Sequence, residues 1–229
     1  CDPAKTKACI VTCGGLCPGL NVVIRELVMC LYYNYEVKEV YGIKWGYKGC
    51  YTDVENNWIK LTPQNVKYIH KSGGTMLGSS RGGFDADKIV NSFVERGINQ
   101  VYLIGGDGTH RGINALIERA KERDIVISFA GIPKTIDNDI PGTERTFGFD
   151  TAVSIATDAI DRLHTTAESH DRIMVVEVMG RHVGHIATWA GLAGAMVLSA
   201  ICSAVFSQLV LGYAELFLSL LAALTAIVA

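Results

Sequence analysis

Short, continuously apolar runs that end in glycine-rich polar turns constrain this chain more than any other feature. Residues 8–13 (ACIVTC) run into Gly14-Gly15, and 100–110 (QVYLIGGDGTH) pass from an apolar run through a glycine turn to a helix start. Residues 125–133 (IVISFAGIP) stop at a proline, and 172–180 (RIMVVEVMG) end on Gly180. EVYGI at 39–43 reads as a further strand. A strand without alternation is buried on both faces, the habit of parallel sheets covered by helices on each side.

Segments of helical periodicity lie between these runs. Asn21 can cap a helix in which Val23, Leu27, Cys30 and Leu31 keep helical spacing. Thr62-Pro63 starts a short helix ending near Gly73-Gly74, and Asp85 caps a helix that includes DKIVNSFVER. Ile113, Leu116, Ile117 and Ala120 mark one face of a helix over 109–123. A capped amphipathic helix follows over 150–168, and VGHIATWAGLAGA is a Gly/Ala-rich helix. The expected fold class is α/β, with parallel sheets and helices on both faces.

In such folds ligands bind beyond the carboxyl ends of the strands. The segments found there are TCGGLCPG, GGDGTH, PKTIDNDI and MGRHVG. Gly14-Gly15 lets backbone N–H groups approach an anion, with the following helix adding positive potential. In GGDGTH, Gly105 and Gly106 again allow close approach, Asp107 offers a carboxylate where phosphate oxygens and Mg²⁺ could meet, and Thr109 adds a hydroxyl. The competing reading of Asp107 is a helix cap. Asp137 and Asp139 in PKTIDNDI fall on one side if the segment is extended, with Asn138 opposite. A kinase needs a carboxylate to accept a hydroxyl proton, and cations around the transferring group; Lys134, Arg81, Arg172 and Arg181 are candidates for the latter.

Twenty-one basic against 23 acidic residues give a net charge of −2, which excludes a sequence-independent grip on nucleic acid by excess positive charge. The seven cysteines form no disulfide framework and fit a reducing compartment. Cys9, Cys13 and Cys17 fall four apart, but glycines and Pro18 interrupt them and no fourth ligand completes a metal site. The chain opens at Cys1 rather than Met, as in a fragment or a processed product, and Asp2, Lys5 and Lys7 break any signal-like apolar run. From His182 to Ala229 the only formal charge is Glu215, where average composition would put about nine. Residues 196–214 hold no charge, so a helix there would span roughly 28 Å, about a bilayer's hydrocarbon thickness. Three readings stay open: a membrane span, which Ser199, Ser203, Ser207 and Gln208 weigh against; a buried helical pair; and an aberrant end.

Taken together and in order, TCGGLCPGLN, GSSRGGFD, IGGDGTHRG, PKTIDNDI and RIMVVEVMGRHVGHIA resemble the 6-phosphofructokinase family, most of all its plant-type ATP-dependent branch. The resemblance covers about residues 7–195. It implies transfer of the γ-phosphoryl of ATP to the 1-hydroxyl of fructose 6-phosphate, with Mg²⁺. It places Gly15 against the ATP phosphates, Arg81 and Gly82 with Gly106, Asp107, Gly108 and Thr109 around the nucleotide, and Asp107 on the metal. It assigns Thr135, Ile136 and Asp137 to the sugar phosphate, with Asp137 as the base and Asp139 as electrostatic support. Met179, Gly180 and Arg181 also meet substrate, and Arg172 resembles an arginine that reaches a neighbouring subunit's site in a dimer or tetramer. The implied domains are 1–148 for nucleotide and 149–195 as the start of a sugar-phosphate domain, leaving 196–229 as an apolar tail. The implied location is the cytoplasm, or a plastid.

Pyrophosphate-using relatives carry a second Asp where this chain has Gly108, so Gly108 favours ATP; Lys134 occurs in pyrophosphate users and in the plant-type ATP branch alike. After Ala195 the family's further substrate-binding Glu, Arg and His residues are not recognisable. An inactive relative that binds nucleotide or joins oligomers is therefore the principal alternative, and a different GGDGT kinase acting on NAD or a lipid is a third.

Overall fold

A computed structural model describes residues 2–194; Cys1 and 195–229, with the apolar tail and its 196–214 segment, lie outside the described residues. The chain divides into two compact units. Among the described residues, one comprises 2–135 and Ile140–Phe147; the other comprises Ile136–Asp139 and 148–194.

The first unit is built on a five-stranded sheet of β1 (Lys7–Thr12), β2 (Glu39–Ile43), β3 (Trp58–Lys60), β4 (Gln100–Gly105) and β5 (Ser128–Pro133), in the order β3-β2-β1-β4-β5. Its helices are α1 (Leu20–Met29), the short α2 (Gly46–Gly49), α3 (Val54–Asn57) and α4 (Pro63–Val66), then α5 (Ala86–Glu95) and α6 (Asp107–Glu122). Central β1 shows why its run does not alternate. Cys9 and Val11 face a core completed by Ile89, Val90 and Phe93 of α5 and by Ile113 and Leu116 of α6. Ala8 and Ile10 face the opposite core with Leu20, Ile24 and Val28 of α1. Each Val, Ile, Leu or Phe among them contributes about 1.5–3 kcal/mol on burial. Phe93 is fully buried and meets Trp58 edge-on at 6.2 Å. Phe93→Ala is expected to cost about 3–5 kcal/mol, read as a lowered urea midpoint.

The sheet is mixed, not parallel throughout. β1, β2, β4 and β5 run parallel, but β3 pairs antiparallel with β2, with Tyr41 opposite Lys60. The short turns α2 and α3 return the chain beside β2 without a crossover helix, so reversal is the outcome. Asp85 caps α5 as expected, accepting from the Lys88 N–H at 3.1 Å. Asn21 does not cap α1. Gly19, at φ 90°, precedes that helix, and Asn21 is buried within it. Its amide donates to the Ser72 carbonyl at 2.9 Å and accepts from the Met76 N–H at 2.8 Å, fixing the turn ahead of the Arg81 loop.

In the second unit α7 (Phe149–Ser169) packs Phe149 and Ala156 against Ile186 and Ala190, with Ile136 and Val178 beside them. Residues 185–194 are helical. The expected strand at 172–180 is not one: a strand exists through its ladder, and no described residue pairs with this segment. Ile173 is 93% exposed, and Val175 and Met179 are also exposed.

Candidate functional site

At the carboxyl end of the first unit's sheet, three stretches far apart in sequence meet. Thr12 ends β1, and Gly14 follows in a left-handed conformation (φ 83°) that an L side chain would strain. The Cys13 N–H donates to the Ile104 carbonyl at 2.9 Å and the Gly14 N–H to the Ser80 carbonyl at 3.0 Å. The Ser79 hydroxyl donates to the Gly14 carbonyl at 2.6 Å. The glycine turn is thereby tied to both β4 and the loop holding Arg81. A Cβ on Gly15 would lie 3.5 Å from Arg81 Nη2. Helix α1 begins at Leu20, directly after Gly19, and not behind the Asn21 cap expected.

Lys134, just after β5, is 4% exposed, and its ammonium donates to the Gly15 carbonyl. Its backbone N–H donates to the Gly105 carbonyl at 2.9 Å. Burial pushes its pKa down and the Arg81 charge pushes the same way, against the opposing effect of the Cys17 and Cys13 thiols. Burial also pushes the Cys13 thiol up to about 12, which leaves it protonated and unreactive.

The GGDGTH segment joins β4 to α6. A Cβ on Gly105 would lie 2.5 Å from Thr109 Cβ, so strand and helix meet there without room for a side chain. Gly106 precedes the helix and Asp107 is its first residue, so Asp107 does not cap α6. Its half-exposed carboxylate pairs with Arg111 one turn on. A Cβ at Gly108, or at Gly82, would meet nothing within 4 Å. Thr109 is buried. The first N–H groups of a helix lack intrahelical partners, and the dipole there favours an anion. Gly15, Arg81, Gly106, Asp107, Gly108, Thr109 and Thr135 all belong to this unit.

The other predicted residues lie in the second unit or at its start. The chain bends at Ile136-Asp137, and Asn138 is left-handed at φ 54°. The segment is therefore not extended, and the expected two-residue alternation of Asp137 and Asp139 fails at Asn138. Asp137 is largely buried, with Oδ2 3.6 Å from Arg181 Nε. Gly180 (φ 143°) and Arg181 (φ 51°) form the kinked turn that presents this guanidinium. Met179 is exposed beside them, and Arg172 is exposed at the start of 172–180.

Two participants escaped sequence reasoning. Arg111 lay unnoticed on an exposed helix face. The turn after β2 is the other, and KWGYKG carries the same glycine-and-polar signal as the other strand ends.

The family model that matches this chain is Phosphofructokinase, over residues 7–208. The chain belongs to the phosphofructokinase family. Among relatives of that family it is similar to ATP-dependent 6-phosphofructokinase 7 of Arabidopsis thaliana, 55% identical over 190 residues. That match takes in 82% of this chain and 39% of the relative, so the chain spans well under half the relative's length. It is also similar to the chloroplastic ATP-dependent 6-phosphofructokinase 4 of the same plant, 50% identical over 190 residues, covering 82% of this chain and 35% of the relative. Among solved structures, phosphofructokinase from Saccharomyces cerevisiae superposes with a TM-score of 0.70 at 28% identity, over 82% of this chain and 28% of that one. Among the described residues of this phosphofructokinase-family chain, no helix is long and apolar enough to cross a membrane.

Proposed function

We propose that this chain carries the nucleotide site and the proton acceptor of an ATP-dependent 6-phosphofructokinase, which makes fructose 1,6-bisphosphate from fructose 6-phosphate. The observation that carries this reading is the meeting of the Gly14-Gly15 turn, the Arg81 loop and the β4–α6 join that carries Asp107, tied together by Lys134 and by backbone bonds at one end of one sheet. The names of the relatives supply the substrate and the donor.

Residues 1–148 then form the nucleotide domain and 149–195 begin the sugar-phosphate domain. Backbone N–H groups at Gly15 and at Gly106–Gly108 receive phosphate oxygens, with Thr109, Arg81 and Gly82 beside them. Asp107 would hold Mg²⁺. No described group of three or more His, Cys, Asp or Glu could cage a metal, but Mg²⁺ takes one or two carboxylates and completes its shell with water and phosphate. A single half-exposed carboxylate, released from its pairing with Arg111, suits that mode, and the ion when bound would neutralise charge on the transferring group. Asp137 takes the proton from the 1-hydroxyl as that oxygen bonds to the γ-phosphorus. The bond from phosphorus to the β–γ bridging oxygen breaks, and ADP leaves with that electron pair. Arg181 orients Asp137, and Thr135, Ile136, Met179 and Gly180 shape the sugar-phosphate side. Asp139 supports the site electrostatically, and Arg172 reaches a second copy in a homo-oligomer. The compartment proposed is the cytoplasm, with a plastid as the other choice.

An inactive, nucleotide-binding relative is the second reading, favoured by the near absence of charge after Arg181. A coupled assay on the 229-residue chain decides. Turnover with ATP and fructose 6-phosphate, but not with NAD or a lipid as acceptor, supports the kinase. Nucleotide binding with no turnover supports the inactive relative.

A further inference from the structure

The turn after β2 is bonded to both the Arg81 loop and the first turn of α6. On one side it grips the Arg81 loop. The Trp45 N–H donates to the Leu77 carbonyl at 3.0 Å, Ser80 Oγ donates to the Trp45 carbonyl at 2.6 Å, and the Tyr51 hydroxyl donates to the Gly83 carbonyl at 3.0 Å. On the other side stands Tyr47, 6% exposed. Its ring lies edge-on to Phe84 at 5.1 Å, and its hydroxyl donates to the Thr109 carbonyl at 2.8 Å. Gly112, in the next turn of α6, makes room for it: a Cβ there would lie 2.6 Å from the Tyr47 hydroxyl oxygen and 3.2 Å from Phe84 Cε2. Burial pushes the Tyr47 pKa up, so the hydroxyl stays a donor.

A buried tyrosine needs a partner for its O–H, and any carbonyl would serve. The one it finds is two residues past Asp107, inside the turn whose N–H groups and carboxylate the nucleotide reading assigns to the phosphates. We infer that Tyr47 is a positioning residue, whose hydroxyl on the Thr109 carbonyl holds the first turn of α6 where Asp107 and its neighbouring N–H groups meet a metal-bound phosphate. The inference rests on the nucleotide reading above.

Tyr47→Phe removes the hydroxyl and keeps the ring. Amide exchange across 107–112 in the ligand-free chain is expected to rise about two- to tenfold, the range set by one net hydrogen bond. Magnesium–ATP affinity, measured calorimetrically, is expected to fall by a similar factor, and the melting temperature by about 2–4 °C. Tyr51→Phe removes a hydroxyl from the same turn that bonds the Arg81 loop instead, and should leave exchange at 107–112 unchanged. Unaltered exchange in Tyr47→Phe overturns the inference. So does faster exchange with undiminished magnesium–ATP affinity, and so does equal loosening of 107–112 by Tyr51→Phe. A wild-type chain that binds no magnesium–ATP overturns the nucleotide reading itself, and this inference with it.

Discussion

Asp137→Asn abolishes measurable turnover in the coupled assay, a loss of about 10²–10⁴-fold or more, while ATP affinity stays within a few-fold of wild type. The asparagine amide matches the carboxylate in size and cannot take a proton, so the barrier rises and binding is spared. Asp137 is not among the residues proposed to hold the nucleotide, so ATP affinity is expected to rest on Gly15, Arg81 and Asp107 instead. Its partner Arg181 is largely exposed and keeps its hydration when the carboxylate is neutralised, so the fold should tolerate the change. Calorimetric titration with ATP beside the assay is the check. A collapse of ATP affinity would remove Asp137 from the role of base and make it a binding residue.

The second large effect is expected at Gly108. Gly108→Asp leaves the melting temperature unchanged, because its Cβ meets nothing within 4 Å and an acidic residue in the first turn of a helix is electrostatically favourable. ATP affinity nonetheless falls by about tenfold to a thousandfold, the range given by a carboxylate about 4 Å from a phosphate charge at intermediate dielectric. Pyrophosphate, which has no α-phosphate bearing a nucleoside, should lose far less. Parallel titrations with the two donors measure the difference. Equal affinity of ATP for variant and wild type would show that Gly108 does not select the donor.

What the sequence disclosed follows from the range of the forces involved. β1 was legible because burial on both faces demands an unbroken apolar run, and the Asp85 cap because a cap is settled within four residues. The glycine turns were legible for the same local reason. β3 was not: three residues carry no period, and their direction is set by where α2 and α3 send the chain. Asn21 looked like a cap because asparagine caps helices well, but its amide is used on a turn some 50 residues away. The buried Tyr47 hydroxyl answers to a tertiary contact that no window of sequence contains. Residues 172–180 have the composition of a strand, and composition alone cannot supply a neighbour to pair with.

The join between β4 and α6 separates two demands that usually blur. At Gly105 any methyl group would collide with Thr109, so that position answers to whether the chain assembles at all. Three residues later Gly108 opens onto empty space and answers only to what the assembled chain will hold. A saturation library scored once for cellular abundance and once for catalysis should therefore come apart along this single turn. Substitutions at 105 would vanish from both scores, and acidic substitutions at 108 from the second alone.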